Sequence, residues 1–323
     1  MTEARVVALC GGVGGAKLAL GLYRLLPQGM LSVIVNTGDD FEHLGLSISP
    51  DLDTVLYTLA DLAHPQNGWG RRDETWHFMD VLKVLRSETW FMLGDRDLAL
   101  HVERTQRLTQ GDSLSCVIAT FTERFGIAAD IVPMTDQSVR TWVTTDGGAL
   151  AFQDYFVRRR CAPRVISIQF RGAGSARMAP RAQEVMASPA TAAIILCPSN
   201  PFLSIDPILA VPGMRSALRS SPAPVIAVSP IIGGEAIKGP TAKIMRELGI
   251  EASPQAIMRH YADFLDGLVC DLRDEAHVDA LGLPVHLADT LMKTESDKIR
   301  LSETVLRFAR TLAPRRGRSV AAP

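Results

Sequence analysis

Short apolar runs, each closing on a cluster of glycine, serine or aspartate, alternate with helical spacing along much of this chain. Val6-Val7-Ala8-Leu9 is apolar without alternation, as in a strand buried on both faces. It runs into Gly11-Gly12-Val13-Gly14-Gly15-Ala16-Lys17, and the periodic apolar positions of 18–26 predict the helix that follows. A second strand is predicted over 31–35, ending in Asn36-Thr37-Gly38-Asp39-Asp40. Strand, helix and strand at this spacing form a βαβ unit with parallel strands. Pro50-Asp51-Leu52-Asp53-Thr54 then opens a helix carrying Val55, Leu56, Leu59, Leu62 and Ala63 on one face.

From His64 to Arg160 the alternation lapses, which predicts an inserted lobe. Helical spacing recurs around Phe78, Val81, Leu82 and Leu85 and over 98–107, the latter preceded by Gly94-Asp95-Arg96-Asp97. Trp69, Trp76 and Trp90 fall here and suit either a small core or an aromatic wall for a flat ligand. A β-hairpin is predicted from 139–145 and 149–156, joined through Asp146-Gly147-Gly148. The alternation resumes with strands at 165–168, 192–196, 225–228, 268–270 and 285–287, and a last helix with Leu301, Val305, Phe308 and Leu312 on one face.

The expected fold is α/β: a Rossmann-like, mostly parallel sheet flanked by helices, with a mainly helical inserted lobe plus a β-hairpin. Residues 1–63 and 161–313 form the nucleotide-binding core, 64–160 the lobe, and 314–323 a solvated, disordered tail. Apolar residues at 47% supply ample core, and a formal net charge of -1 argues against a nucleic-acid binder working by broad electrostatics. No apolar run reaches membrane-spanning length and no signal-peptide pattern opens the chain, so a soluble, cytoplasmic protein is expected. A homodimer is left open. Cys10, Cys116, Cys161, Cys197 and Cys270 are scattered without a C-x-x-C, and the histidines lack metal spacing, so any metal falls to carboxylates.

The chemistry gathers at strand ends. Glycines between strand and helix permit positive φ and close approach of a ligand to the main chain. The N–H groups and dipole of the new helix suit a phosphate. The loop matches neither common fingerprint: Lys17 stands where a dinucleotide loop has its third glycine, and Ala16 and Leu18 flank that lysine unlike a Walker loop. Asp39, Asp40, Asp51 and Asp53 stand close to it, with capping, magnesium binding and base catalysis all open to them. Pro198-Ser199-Asn200-Pro201, Ser229-Pro230-Ile231-Ile232-Gly233-Gly234 and Lys238-Gly239-Pro240-Thr241 follow later strands. Convergence of such loops beyond the carboxyl ends of parallel strands is what a nucleotide-phosphate cleft requires.

In order, Gly11-Gly12-Val13-Gly14-Gly15, Asn36-Thr37-Gly38-Asp39-Asp40, Pro50-Asp51-Leu52-Asp53-Thr54, Gly94-Asp95-Arg96-Asp97, Pro198-Ser199-Asn200-Pro201, Ser229-Pro230-Ile231-Ile232-Gly233 and Ala288-Asp289-Thr290-Leu291-Met292 resemble the 2-phospho-L-lactate transferase family of coenzyme F-420 biosynthesis. The resemblance implies a magnesium-dependent transfer. A phospho-acid (phospholactate, phosphoenolpyruvate or phosphoglycerate) passes from a GDP-linked donor to the terminal ribityl hydroxyl of the deazaflavin Fo, and GMP leaves. It further implies that Asp53 and Arg96 contact the deazaflavin. Gly12, Gly14, Gly15, Ser199, Asn200 and the loop carrying Ser229, Gly233 and Lys238 would hold the nucleotide. Asp39 and Asp40 are assigned metal or base work, with Asp51 supporting the metal. The alternatives are a non-enzymatic nucleotide-sugar-binding regulator of the same superfamily and, more remotely, a nicotinamide-dependent dehydrogenase.

Overall fold

The computed structural model describes residues 4–236, 239–278 and 282–312. Its centre is a sheet of seven parallel strands: β1 (Arg5–Cys10), β2 (Leu31–Val35), β3 (Asp130–Pro133), β4 (Thr191–Leu196), β5 (Val225–Val228), β6 (Gly267–Asp271) and β7 (Val285–Ala288). Their spatial order is β7-β6-β5-β4-β1-β2-β3. The chain therefore winds outward from β1 in one direction and from β4 in the other, as in Rossmann-type folds. The crevice between the carboxyl ends of β1 and β4 is the point where ligands collect in such sheets.

The apolar runs have their physical reason in the two cores. Val7, Leu9, Ile34, Ile194 and Leu196 face one layer, whereas Val6, Ala8, Val33, Val35 and Ile195 face the other. Side chains alternate along a strand, so a sheet covered on both faces needs apolar residues at every position. Six helices matter to the site: α1 (Gly12–Leu25), α2 (Pro50–Leu59), α3 (His77–Val84), α4 (Asp95–Thr109), α5 (Leu114–Arg124) and α6 (Glu295–Thr311). Thr294 and Asp297 close a capping box at the start of α6, which packs along α1. Among the described residues no helix is long and apolar enough to cross a membrane.

The structure differs from the expected 64–160 insertion. Leu100 of α4 and Val117, Ile118 and Phe121 of α5 join the core below the sheet, and Asp130–Pro133 adds an edge strand beside β2. Two helices before a strand of only four residues hide the βα rhythm from the sequence. The strand predicted at 165–168 exists but lies elsewhere. Val165–Arg171 pairs antiparallel with Arg140–Thr145, which also pairs with Gly148–Ala151, forming a three-stranded sheet apart from the parallel one. The hairpin's second strand stops at Ala151, and Asp154–Arg158 is a π-helix rather than strand. A small hairpin, Phe41–His43 with Leu46–Ile48, was not predicted. Lys238 and the tail 314–323 lie outside the described residues.

Candidate active site

The glycine loop is held in place from three sides. Gly11 caps α1 in an extended conformation, and Gly12 follows at φ +63, a left-handed setting that disfavours a side chain. Gly11 N–H donates to Ser199 Oγ at 3.2 Å, and that hydroxyl donates to the Gly11 carbonyl at 2.7 Å. A Cβ on Gly14 would stand 2.5 Å from the Pro198 carbonyl oxygen, so only glycine lets the loop lie this close to the β4 end. Gly15 is likewise wedged against Ser199 and Cys10. The first turn of α1 carries no acidic residue of its own.

Opposite it, Asp51 closes the loop from α2. Asp51 Oδ1 accepts the Gly12 N–H at 2.8 Å, and Oδ2 accepts Asn36 Nδ2 at 2.9 Å. Burial lifts its carboxyl to about 6, against the pull of those two donors. Asp39 is buried and lines the same cavity, its Oδ1 without a hydrogen-bond partner. Burial, and then the nearby Asp51, push Asp39 well above the usual carboxylate range. Asp40 is turned away: it is not among the cavity-lining residues, and its Oδ2 accepts Ser49 Oγ at 2.9 Å. Burial raises it to about 7, with Arg140 and Arg104 opposing. Of the expected trio, Asp39 and Asp51 line the cavity together and Asp40 does not. Asp40 faces the hairpin side, and Asp51 is engaged by the chain itself.

Asp53 is not a helix cap. It sits within the first turn of α2, N-capped by Ser49, and is ion-paired to the fully buried Arg104 of α4. Its Oδ2 stays unpartnered at the cavity wall, and burial raises its carboxyl although Arg104 opposes. Among the described residues, one ligating atom each from Asp53, Asp97 and His101 lie within 4.8 Å of one another. Asp97, His101 and Arg104 fall at i, i+4 and i+7 on one face of α4, and the first two line the cavity. That spacing is legible in the sequence. Tyr57 Oη donates to Asp97 Oδ1 from α2. Arg96, by contrast, is exposed and absent from the lining; its backbone N–H donates to Glu74 at 2.8 Å.

The remaining loops meet the glycine loop as expected. Gly12, Gly14, Ser199, Asn200 and Ser229 line one cavity of about 610 Å³, joined by Thr241 at the start of a later helix. Gly15 and Gly233 stand behind the wall rather than in it. Asn200 Oδ1 accepts the N–H groups of Phe202 and Leu203 at 3.0 and 3.1 Å, while its buried Nδ2 has no partner. Lys17 also reaches the cavity and donates to the Met292 carbonyl at 2.8 Å. Trp69, Trp90, Phe91, Phe152 and Phe156 also line the cavity, the Trp69 segment lying against the first turn of α1, where a Cβ on Gly68 would stand 2.5 Å from Val13 Cγ1. Trp76 does not line it. Gln153 Nε2 donates to the Asp39 carbonyl at 3.1 Å, tying the aromatic side to the acidic loop. The one cavity thus offers a helix N-terminus, small polar side chains, carboxylates and ring faces.

A family model described as 2-phospho-L-lactate transferase CofD matches residues 6–306. A phosphoenolpyruvate transferase of Kitasatospora aureofaciens is 41% identical over 315 residues, spanning 94% of this chain and 98% of that one. A 2-phospho-L-lactate transferase of Methanosarcina mazei is 38% identical over 304 residues, spanning 93% and 99%. A solved UPF0052-family structure from Bacillus halodurans superposes with a TM-score of 0.65 at 16% identity, spanning 95% and 99%, which speaks for the fold alone. With the match running almost end to end in both sequence relatives, the chain belongs to the 2-phospho-L-lactate transferase CofD family.

Proposed function

We propose that this chain transfers a phospho-acid group from a guanosine-diphosphate-linked donor to a hydroxyl of the deazaflavin Fo in coenzyme F-420 biosynthesis. The observation that carries the reading is that the α1 N-terminus, Asp39, Asp51, Asp53 and the rings of Trp69, Trp90, Phe91, Phe152 and Phe156 line one cavity. A diphosphate suits the helix N-terminus and a flat tricyclic ring the aromatic side chains. The ribityl hydroxyl oxygen bonds to the acid-bearing phosphorus, the diphosphate bridge breaks at that phosphorus, and GMP carries the bridging oxygen away. The hydroxyl proton passes to a cavity carboxylate. Asp53, with Oδ2 unpartnered, is our choice for it.

Catalysis of this type is mostly positioning and charge neutralisation. A magnesium ion fits the donor half, because Asp39 Oδ1 is buried without a donor and Asp51 stands near enough to raise its carboxyl. Asp39 would hold the ion with Asp51 alongside, and phosphate and water oxygens would complete the shell. Bound there, it would supply neutralisation of the diphosphate charge. The N–H groups of the α1 first turn, Ser199 and Asn200 orient the phosphates, and the aromatic side excludes water from the acceptor.

The test is incubation of the chain with Fo, a guanylyl-linked phospho-acid donor and Mg²⁺. GMP and phospho-acid-bearing deazaflavin are expected in equal amounts, and the absence of both overturns the reading. Phospholactate- and phosphoenolpyruvate-linked donors offered together, with product masses read, identify the acid transferred.

A further inference from the structure

Arg104 is the largest fully buried side chain among the described residues, and its contacts explain a set of otherwise orphaned atoms. Its Nη2 is ion-paired to Asp53 Oδ1. Its Nη1 donates to the Ser47 carbonyl at 3.1 Å and lies 3.3 Å from His101 Nδ1. A guanidinium has only donors, so a hydrogen bond to His101 requires that Nδ1 be the bare, accepting nitrogen. The proton of a neutral imidazole then resides on Nε2. That nitrogen lies 3.3 Å from Asp97 Oδ2 but makes no aligned hydrogen bond. Asp53 Oδ2 is likewise buried without a hydrogen bond; His101 Nδ1 lies 3.7 Å from it, beyond hydrogen-bond distance and farther than the 3.3 Å to Arg104 Nη1, and Asp53 and His101 both line the cavity.

We propose that Arg104 is a positioning residue which locks Asp53 through Oδ1 and sets His101 as the Nε2–H tautomer, so that Asp53 Oδ2 and His101 Nε2–H form a paired acceptor-and-donor subsite for the deazaflavin. The inference rests on the reading of the cavity's acceptor half given above. Its chemistry is specific: the ligand must bring a hydroxyl to Asp53 and a carbonyl or hydroxyl oxygen to His101. The same three ligating groups could otherwise suggest a metal, but the Arg104 guanidinium already supplies the positive charge at Asp53. A divalent ion would have to displace that ion pair.

Nitrogen-15 NMR of the histidine-labelled full chain, with the His101 signal assigned through His101→Gln, reads the tautomer directly. Nε2–H is expected, and a wild-type Nδ1–H ring or imidazolium overturns the proposal. In Arg104→Met the tautomer should change, and fluorescence titration should show Fo binding weakened roughly tenfold to a hundredfold, as for a buried hydrogen bond lost. The GDP affinity should stay put. A folded variant with both tautomer and Fo affinity unchanged also overturns it. Should Arg104→Met fail to fold, Arg104→Lys keeps the charge but cannot fork between Asp53 and His101, so the same two losses are expected there. Unchanged readings in Arg104→Lys sink the proposal. A shift of the His101 signal on adding Mg²⁺ or Zn²⁺ alone would assign the cluster to a metal instead. The expected tautomer in a wild-type chain that binds no Fo would leave Arg104 as described and refute the acceptor reading.

Discussion

The Gly12 N–H donates to Asp51 Oδ1 at 2.8 Å across 39 residues of chain, while Asn36 Nδ2 holds the other oxygen at 2.9 Å. One carboxylate therefore joins the ends of β1 and β2 to the start of α2. Asp51→Asn can accept from only one of these donors and turns an amide N–H toward the other. A loss of about 1–3 kcal/mol in stability is expected, together with weaker GDP binding. Chemical denaturation and calorimetry check both, and a variant equal to wild type in each would make the bridge dispensable.

Asp53→Asn separates charge from shape. The amide fills the same space but leaves Arg104 a buried cation facing a neutral group, so stability should fall by a few kcal/mol, about 3 or more. Turnover with Fo should collapse while GDP affinity holds. Unchanged turnover in a folded variant would confine Asp53 to a structural role.

Asp274 acts behind the cavity wall. Fully buried, it accepts the Gly233 N–H at 3.0 Å on one oxygen and the Gly234 N–H at 3.1 Å on the other. Both glycines have positive φ, at +60 and +76, so the turn after Ile232 depends on glycine and on this clasp. Asp274→Asn leaves one N–H unmatched. GDP binding should weaken by about three- to tenfold, with faster amide exchange across 229–236. Wild-type exchange and affinity together would exclude the role.

Asp40 makes a pH prediction whose sign is opposite to that of most acids. Its folded carboxyl, near 7, lies above the ordinary value of 3.8 because burial penalises the charge. The folded state thus binds the proton more tightly than the unfolded one. Asp40's contribution is most favourable below about pH 4 and is lost as pH rises through about 7. Asp40→Asn should be more stable than wild type at pH 8, by roughly 2–4 kcal/mol, and no more stable at pH 4. Melting curves at the two pH values decide it. A gain of equal size at both would exclude ionisation as the cause.

The sequence alone determined the parallel α/β core, because a sheet covered on both faces demands nearly continuous apolar runs and these stand out at 6–9, 31–35 (broken only by Ser32), 192–196 and 225–228. It also determined that the glycine loop, Ser199-Asn200 and Ser229 converge, since loops after parallel strands must emerge on one edge. The rest was decided by packing. Asp39 and Asp40 are neighbours in the chain, yet only Asp39 reaches the cavity, because Ser49 holds Asp40 on the hairpin side. Asp130–Pro133 joins the parallel sheet and Val165–Arg171 leaves it, since local pattern marks a strand but not its partner. Arg96 was the arginine expected at the acceptor, but Arg104 is the one buried against Asp53. Two arginines eight positions apart differ by nearly a quarter of a helical turn around α4. Which of them faces α2 is set by how the two helices dock, and that is settled in three dimensions.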